Sequence, residues 1–127
     1  MAYTILKEFS FAAAHHIPEH PGKCRNLHGH NYRVRLFLSA ERLDRLGMVI
    51  DFAEVKKLLS EVVGPFDHRV INDFPPFDER PPTAELVSEY VFREVEKRLA
   101  ENGAGERVVV ARVEVWENDV SCAIYER

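Results

Sequence analysis

The chain has 127 residues, 46% hydrophobic and 30% charged, with a net charge of −4. A chain of this size and composition folds as one globular domain that buries roughly two thirds of its unfolded surface, and no apolar run reaches the ~20 residues a membrane helix needs. The acidic balance lacks the basic excess of a phosphate-neutralising surface, which argues against a nucleic-acid partner.

In chain order, "YTILKEFSFAAAHH" (3–16) is rich in β-branched and aromatic residues and predicts a strand. "IPEHPGKCRN" (17–26) holds Pro18, Pro21 and Gly22 and predicts a loop. "HNYRVRLFLSA" (30–40) alternates, with Tyr32, Val34, Leu36 and Leu38 on one parity against Arg33, Arg35 and Phe37, so a half-buried strand is expected. Over 51–64, Phe52, Val55, Leu58, Leu59 and Val62 fall on one helical face, with Asp51 placed to cap and Gly64 to stop it. The proline-rich 65–82 predicts connection. Thr83 then caps a second helix, whose Leu86, Val87, Tyr90, Val91, Val95 and Leu99 recur at three and four until "NGAG" ends it. "ERVVVARVEVWEN" (106–118) reads as a strand in which Val108, Val110, Arg112, Glu114 and Trp116 face one way and Val109, Ala111, Val113, Val115 and Glu117 the other. "SCAIYER" (121–127) is β-prone, and Asn118-Asp119 before it predicts a hairpin turn. The order ββααββ, strands at both ends and helices between, predicts an α+β fold on an antiparallel sheet.

The N-terminus lacks the basic start and apolar stretch of a secretory signal, so a cytoplasmic location and reduced thiols are expected. Under those conditions a special cysteine serves a metal or catalysis rather than a disulfide. "KCRNLHGHNY" (23–32) concentrates such chemistry. His28 and His30 are two apart, and on extended chain both imidazoles point to one face and can converge. A catalytic zinc takes three protein ligands, and His15 or His16 at the end of the neighbouring strand is the source of the third. Histidines that merely hydrogen-bond a glycine turn are the alternative. Cys24, four residues before His28, either closes the site as a fourth, structural ligand or stands beside the metal as an acid or base. Cys122, among apolar neighbours in a strand, is expected to be an inert core thiol, and His20 a surface residue. Asp67 beside His68 offers a proton relay or a chance pairing; Glu85 suits the first turn of a helix in any case; and Glu117 at a strand end can accept two hydrogen bonds from an amidine-like edge or simply be solvated.

Taken in order, "FAAAHH", "CRNLHGHNY", "GMVIDF", "FDH" with "IND", "PTAE", and "VEVWEN" with "SCAIY" span nearly the whole chain. Together they resemble the 6-pyruvoyl-tetrahydropterin synthase and 6-carboxytetrahydropterin synthase family. The resemblance implies the tunnelling fold, a four-stranded antiparallel sheet with two helices on one face, whose copies join into a barrel, usually as a hexamer of two stacked trimers with active sites between subunits. It implies Zn2+ on His15, His28 and His30; Cys24, Asp67 and His68 as catalytic residues; and Glu117, Thr83 and Glu85 at the pterin. Phe66 stands where the family usually has leucine before the Asp-His pair, and Asn118 replaces the usual threonine after "WE". Three residues separate Cys24 from "HGH", the spacing typical of the carboxy enzymes of queuosine biosynthesis, whereas the pyruvoyl enzymes usually have five. The implied activity is a lyase acting on 7,8-dihydroneopterin triphosphate, releasing triphosphate and acetaldehyde; pyruvoyl-tetrahydropterin formation and a non-catalytic zinc module are the alternatives.

Overall fold

The computed structural model describes residues 1–127. Strands β1 (Tyr3–His15), β2 (His28–Ala40), β3 (Val109–Asn118) and β4 (Ser121–Glu126) form one antiparallel sheet in the order β1-β2-β3-β4. Between β2 and β3 run helices α1 (Phe52–Val63) and α2 (Ala84–Glu101). Both helices begin as the sequence predicts. The Asp51 carboxylate accepts from the Ala53 N–H at 2.8 Å, and Thr83 Oγ1 from the Leu86 N–H at 3.2 Å, each satisfying a donor that has no partner within the helix. Gly64 caps the end of α1, and Gly103, in the left-handed region, lets the chain turn back after α2.

The helices cover one face of the sheet. From β2 that face receives Tyr32, Val34, Leu36, Leu38 and Ala40; from α1, Val55, Leu58, Leu59, Val62 and Val63; from α2, Val87, Val91, Val95 and Leu99, all buried. Phe52, expected on the apolar face of α1, is instead exposed at the helix's first turn. Leu36 is fully buried at the centre of the sheet. Truncating it to alanine is expected to cost about 2–5 kcal/mol, read as a lower midpoint of urea unfolding, because neighbouring side chains held by both helices cannot collapse into the space.

The strict alternation expected of β3 does not hold. Leu38 pairs with Val110 and Phe37 with Arg112, so Ala111 is an extra residue in a β-bulge. The parity of β3 switches there, which is why Val110 and Val113 both reach the core. A second irregularity falls at Glu117, between the pairs Trp116–Cys122 and Asn118–Ser121. The hairpin turn lies one residue later than predicted, at Asp119-Val120, where the Asn118 side chain accepts from the Val120 N–H at 2.9 Å.

The other face of the sheet carries charge. Glu8 binds Arg35 (2.9 Å), Arg112 binds Glu114 and Glu126 (2.9 Å each), and Trp116 lies beneath the guanidinium groups of Arg33 and Arg35 at 5.3 and 5.7 Å. Burial pushes the Glu114 carboxyl up, but its bonds to Trp116 and Arg112 outweigh this and hold it below the ordinary value. Cys122 pairs with Trp116 and belongs to this open face, not to the core as expected.

Candidate metal and active site

β2 begins at His28, so "HGH" lies within the strand and its two histidines share the helix-covered side with Tyr32. Across the ladder His15 pairs with His28. One donor nitrogen from each of His15, His28 and His30 lies within 4.8 Å of the others. Two of the three rings have their tautomer set by main-chain carbonyls. His15 Nδ1 donates to the Pro82 oxygen at 2.8 Å and His28 Nδ1 to the Asn26 oxygen at 2.7 Å. A carbonyl can only accept, so both Nδ1 atoms carry the proton and both lone pairs sit on Nε2, which is how ligating histidines are usually oriented.

His30 completes the cluster. Its Nε2 is 3.1 Å from His15 Nε2 and 3.1 Å from Glu117 Oε2. Burial pushes the imidazoles of His15 and His30 below their ordinary pKa, although Glu117 pulls both upward. Tyr32 forms the floor, its ring 5.3 Å from His30 and stacked on Phe11 at 5.1 Å; burial pushes its phenol up, so the floor adds no charge. Three imidazole nitrogens beside one carboxylate suit a divalent zinc ion with a coordination position left over.

Glu117 is aimed into this site by the bulge, which leaves it unpaired in the ladder. It also lines a cleft of about 290 Å³ together with Glu85, Ala84 and residues 121–124. Glu85 therefore shares a cleft with Glu117, whereas the Thr83 hydroxyl is committed to capping α2. Cys122 lines the same cleft; burial pushes its thiol up.

The remaining sequence-predicted residues stand outside the cluster. Cys24 sits half-buried in a single 3-10 turn, Lys23–Arg25, and its sulfur is not among the converging donors. His20 is held in its loop, its Nδ1 accepting from the Gly22 N–H at 2.8 Å. Asp67 and His68 do form a pair, His68 Nδ1 to Asp67 Oδ2 at 3.1 Å, but with the imidazole 81% exposed. His68 has a φ of 61°, a left-handed conformation that costs a non-glycine residue roughly 1–2 kcal/mol. It is held there by the Ala12 carbonyl, which accepts the His68 N–H at 2.6 Å. Asp67 Oδ1 accepts from the Ala12 N–H at 3.0 Å, and this bond, reinforced by His68, keeps the carboxyl below its ordinary pKa. A second cleft, of about 420 Å³, contains both His30 and His68, along with Arg69. The carbonyls of Asn26 and Pro82, which orient two of the three rings, have no sequence signature because any residue supplies a carbonyl.

A one-sheet α+β protein with three histidines from adjoining strand ends and a carboxylate beside them is, by architecture and donor set, a candidate metalloenzyme of small size. Comparison with known proteins narrows this. Residues 4–127 match the family model for 6-pyruvoyl tetrahydropterin synthase. A 6-carboxy-5,6,7,8-tetrahydropterin synthase of Synechocystis is 40% identical over 100 residues, 75% of this chain and 76% of that one. The enzyme of the same name from Haemophilus influenzae is 30% identical, covering 98% of this chain and 99% of its own. Among solved structures, 6-pyruvoyl tetrahydropterin synthase from Caenorhabditis elegans superposes with a TM-score of 0.85 at 29% identity, covering 100% of this chain and 96% of that one. The chain belongs to the 6-pyruvoyl tetrahydropterin synthase family and has its fold, the tunnelling fold.

Proposed function

We propose that the protein is a zinc-dependent 6-carboxy-5,6,7,8-tetrahydropterin synthase, a lyase that converts 7,8-dihydroneopterin triphosphate and water to 6-carboxytetrahydropterin, acetaldehyde and triphosphate, supplying queuosine biosynthesis in the cytoplasm. The observation that carries the catalytic reading is that three histidine lone pairs converge without the Cys24 sulfur, which leaves the thiol available for chemistry and a coordination position for substrate. The relatives of that name and the three-residue gap between Cys24 and His28 favour the carboxy product.

His15, His28 and His30 hold the zinc, which when bound supplies Lewis acidity toward the oxygen functions of the substrate side chain. Glu117 accepts hydrogen bonds from the 2-amino group and ring N–H of the pterin, with Glu85 of the first turn of α2 in the same cleft and Thr83, which caps that turn, at the pterin's edge. Cys24 and His68 move protons at the side-chain carbons. Asp67 fixes the His68 tautomer by accepting the Nδ1–H hydrogen bond, leaving Nε2 as the working atom. Exposure of the Asp67–His68 pair on one chain favours a site completed by a second copy. The outer edges of β4 and of the first half of β1 have no strand neighbour, and Tyr3, Leu6 and Ile124 are exposed along them. Copies joining at these edges into a barrel, and trimers stacking into a hexamer, would enclose the charged sheet face.

A second enzyme reading, triphosphate elimination to 6-pyruvoyl-tetrahydropterin, is favoured by the overlay on the nematode enzyme. Incubation of the purified protein with 7,8-dihydroneopterin triphosphate, followed by mass spectrometry, separates the two. The expected products are a carboxypterin and acetaldehyde; a pyruvoyl product without acetaldehyde would overturn the assignment.

A further inference from the structure

Beside the histidine cluster the free edge of β1 is closed by residues 67–72, and side chains make the closure at both ends. In an antiparallel ladder, alternate residues turn their N–H and C=O away from the neighbouring strand, and such groups need partners of their own. At Ala12 the N–H goes to Asp67 Oδ1 and the carbonyl takes the His68 N–H. At Ala14 the N–H donates to the Arg69 carbonyl at 2.9 Å, and Ala14 forms a parallel bridge with Val70. His16 lies just past the last ladder pair, His15–His28, and a single amide takes both of its groups. The His16 N–H donates to Asn72 Oδ1 at 3.0 Å, and Asn72 Nδ2 donates to the His16 carbonyl at 3.0 Å.

We propose that Asn72 is a positioning residue for the metal cluster: by clamping the main chain of His16 it fixes the end of β1 and, with it, the direction of the His15 imidazole. The inference rests on the metal-binding reading given above. Beyond His16 the chain leaves the sheet for the loop containing Pro18 and Pro21, where the Ile17 N–H donates to the Cys24 carbonyl at 2.7 Å; the groups of His16 itself are held by Asn72 alone. The planar asparagine amide presents one acceptor and one donor side by side, as a peptide group of a neighbouring strand would. Aspartate offers acceptors only, and leucine neither. The same segment carries Asp67 and His68, whose bonds to Ala12 tie the proposed proton-moving pair to the strand that bears the metal ligand.

The test compares wild type with Asn72→Asp, Asn72→Leu and, as a control at the far end of the same strand, Thr4→Val, which removes the Thr4–Ser39 hydroxyl contact. Cobalt(II) affinity is read by competition with a chelator, and ligand geometry by the visible absorption of the cobalt protein, after circular dichroism has established that each variant is folded. Loss of an outer-shell orienting group typically weakens metal binding 10–100-fold. Both Asn72 variants are expected to weaken by about that factor and to change the cobalt bands. Asn72→Asp, which keeps the size but sets a carboxylate oxygen against the His16 carbonyl, is expected to be no better than Asn72→Leu. Thr4→Val is expected to stay within about 2-fold of wild type, since its site lies outside that shell. Wild-type affinity and spectrum in a folded Asn72→Asp variant would overturn the clamp. Failure of the wild-type protein itself to take up cobalt would overturn the metal reading on which the clamp rests.

Discussion

Replacing His28 with alanine is expected to release the metal, and replacing Cys24 with alanine to keep it. His28 contributes one of three donors, and its ring is half-buried at the strand end, so truncation removes a ligand without opening the core. Structural zinc sites bind with roughly 10–16 kcal/mol shared among their ligands, so losing one donor of three weakens binding on the order of 10²–10⁴-fold. Metal analysis after gel filtration should fall from about one zinc per chain to almost none. His15→Ala should behave similarly but also lower stability, because that ring is buried and bonded to the Pro82 carbonyl. Cys24→Ala should retain about one zinc per chain while kcat falls by about 10²–10⁴, the usual contribution of a positioned acid or base. A Cys24→Ala protein that loses its zinc and its fold together would show that the thiol closes the site and that the module is structural.

The fold was legible in the sequence because its signals are local. Both helix caps, the helix faces apart from Phe52, and the two edge-to-centre strand pairs follow from spacing of three and four or of two, together with Asp51, Gly64 and Thr83. β3 was read less well, because a bulge is a property of two strands. Ala111 is extra only in relation to Phe37 and Leu38, so an alternating pattern in β3 alone continues through it. The same limit hid the true setting of Cys122, which was assigned to the core by its apolar neighbours and placed on the open face by its partner Trp116.

The site divided along similar lines. The convergence of His28 and His30 expected from strand parity is present, and the third imidazole nitrogen within 4.8 Å of theirs is that of His15, not His16. His16 instead offers its main chain to Asn72, a residue of the "IND" motif whose side-chain partner lies 56 positions away and leaves no local pattern. Asp67 and His68 pair as their adjacency suggests, yet on one chain they lie in solvent at the edge of β1. What one chain leaves apart, an assembly with sites between subunits can bring together, and no property of the local sequence encodes that distance.

Glu117 is the residue whose substitution separates substrate recognition from metal binding. Its carboxylate, about three quarters buried, stands between the His30 ring and the cleft floored by residues 121–124. If it grips the donor edge of the pterin, Glu117→Gln loses one acceptor and turns an amide N–H toward a donor of the ligand. Hydrogen bonds to charged groups contribute about 1.5–3 kcal/mol each, so with one lost and one opposed kcat/KM should fall by about 10²–10⁴. Zinc should remain near one per chain, because all three histidine donors are intact. Glu117→Asp sharpens the result: it keeps the negative charge near the cation but withdraws the carboxylate by one methylene, about 1.5 Å, from the ligand edge. A role confined to balancing the charge of the metal predicts near wild-type turnover in Glu117→Asp. A role in holding the pterin predicts a loss in both variants and a matching rise in the dissociation constant for a neopterin ligand, measured by fluorescence, and a Glu117→Gln enzyme with unchanged kcat/KM would remove Glu117 from the substrate site altogether.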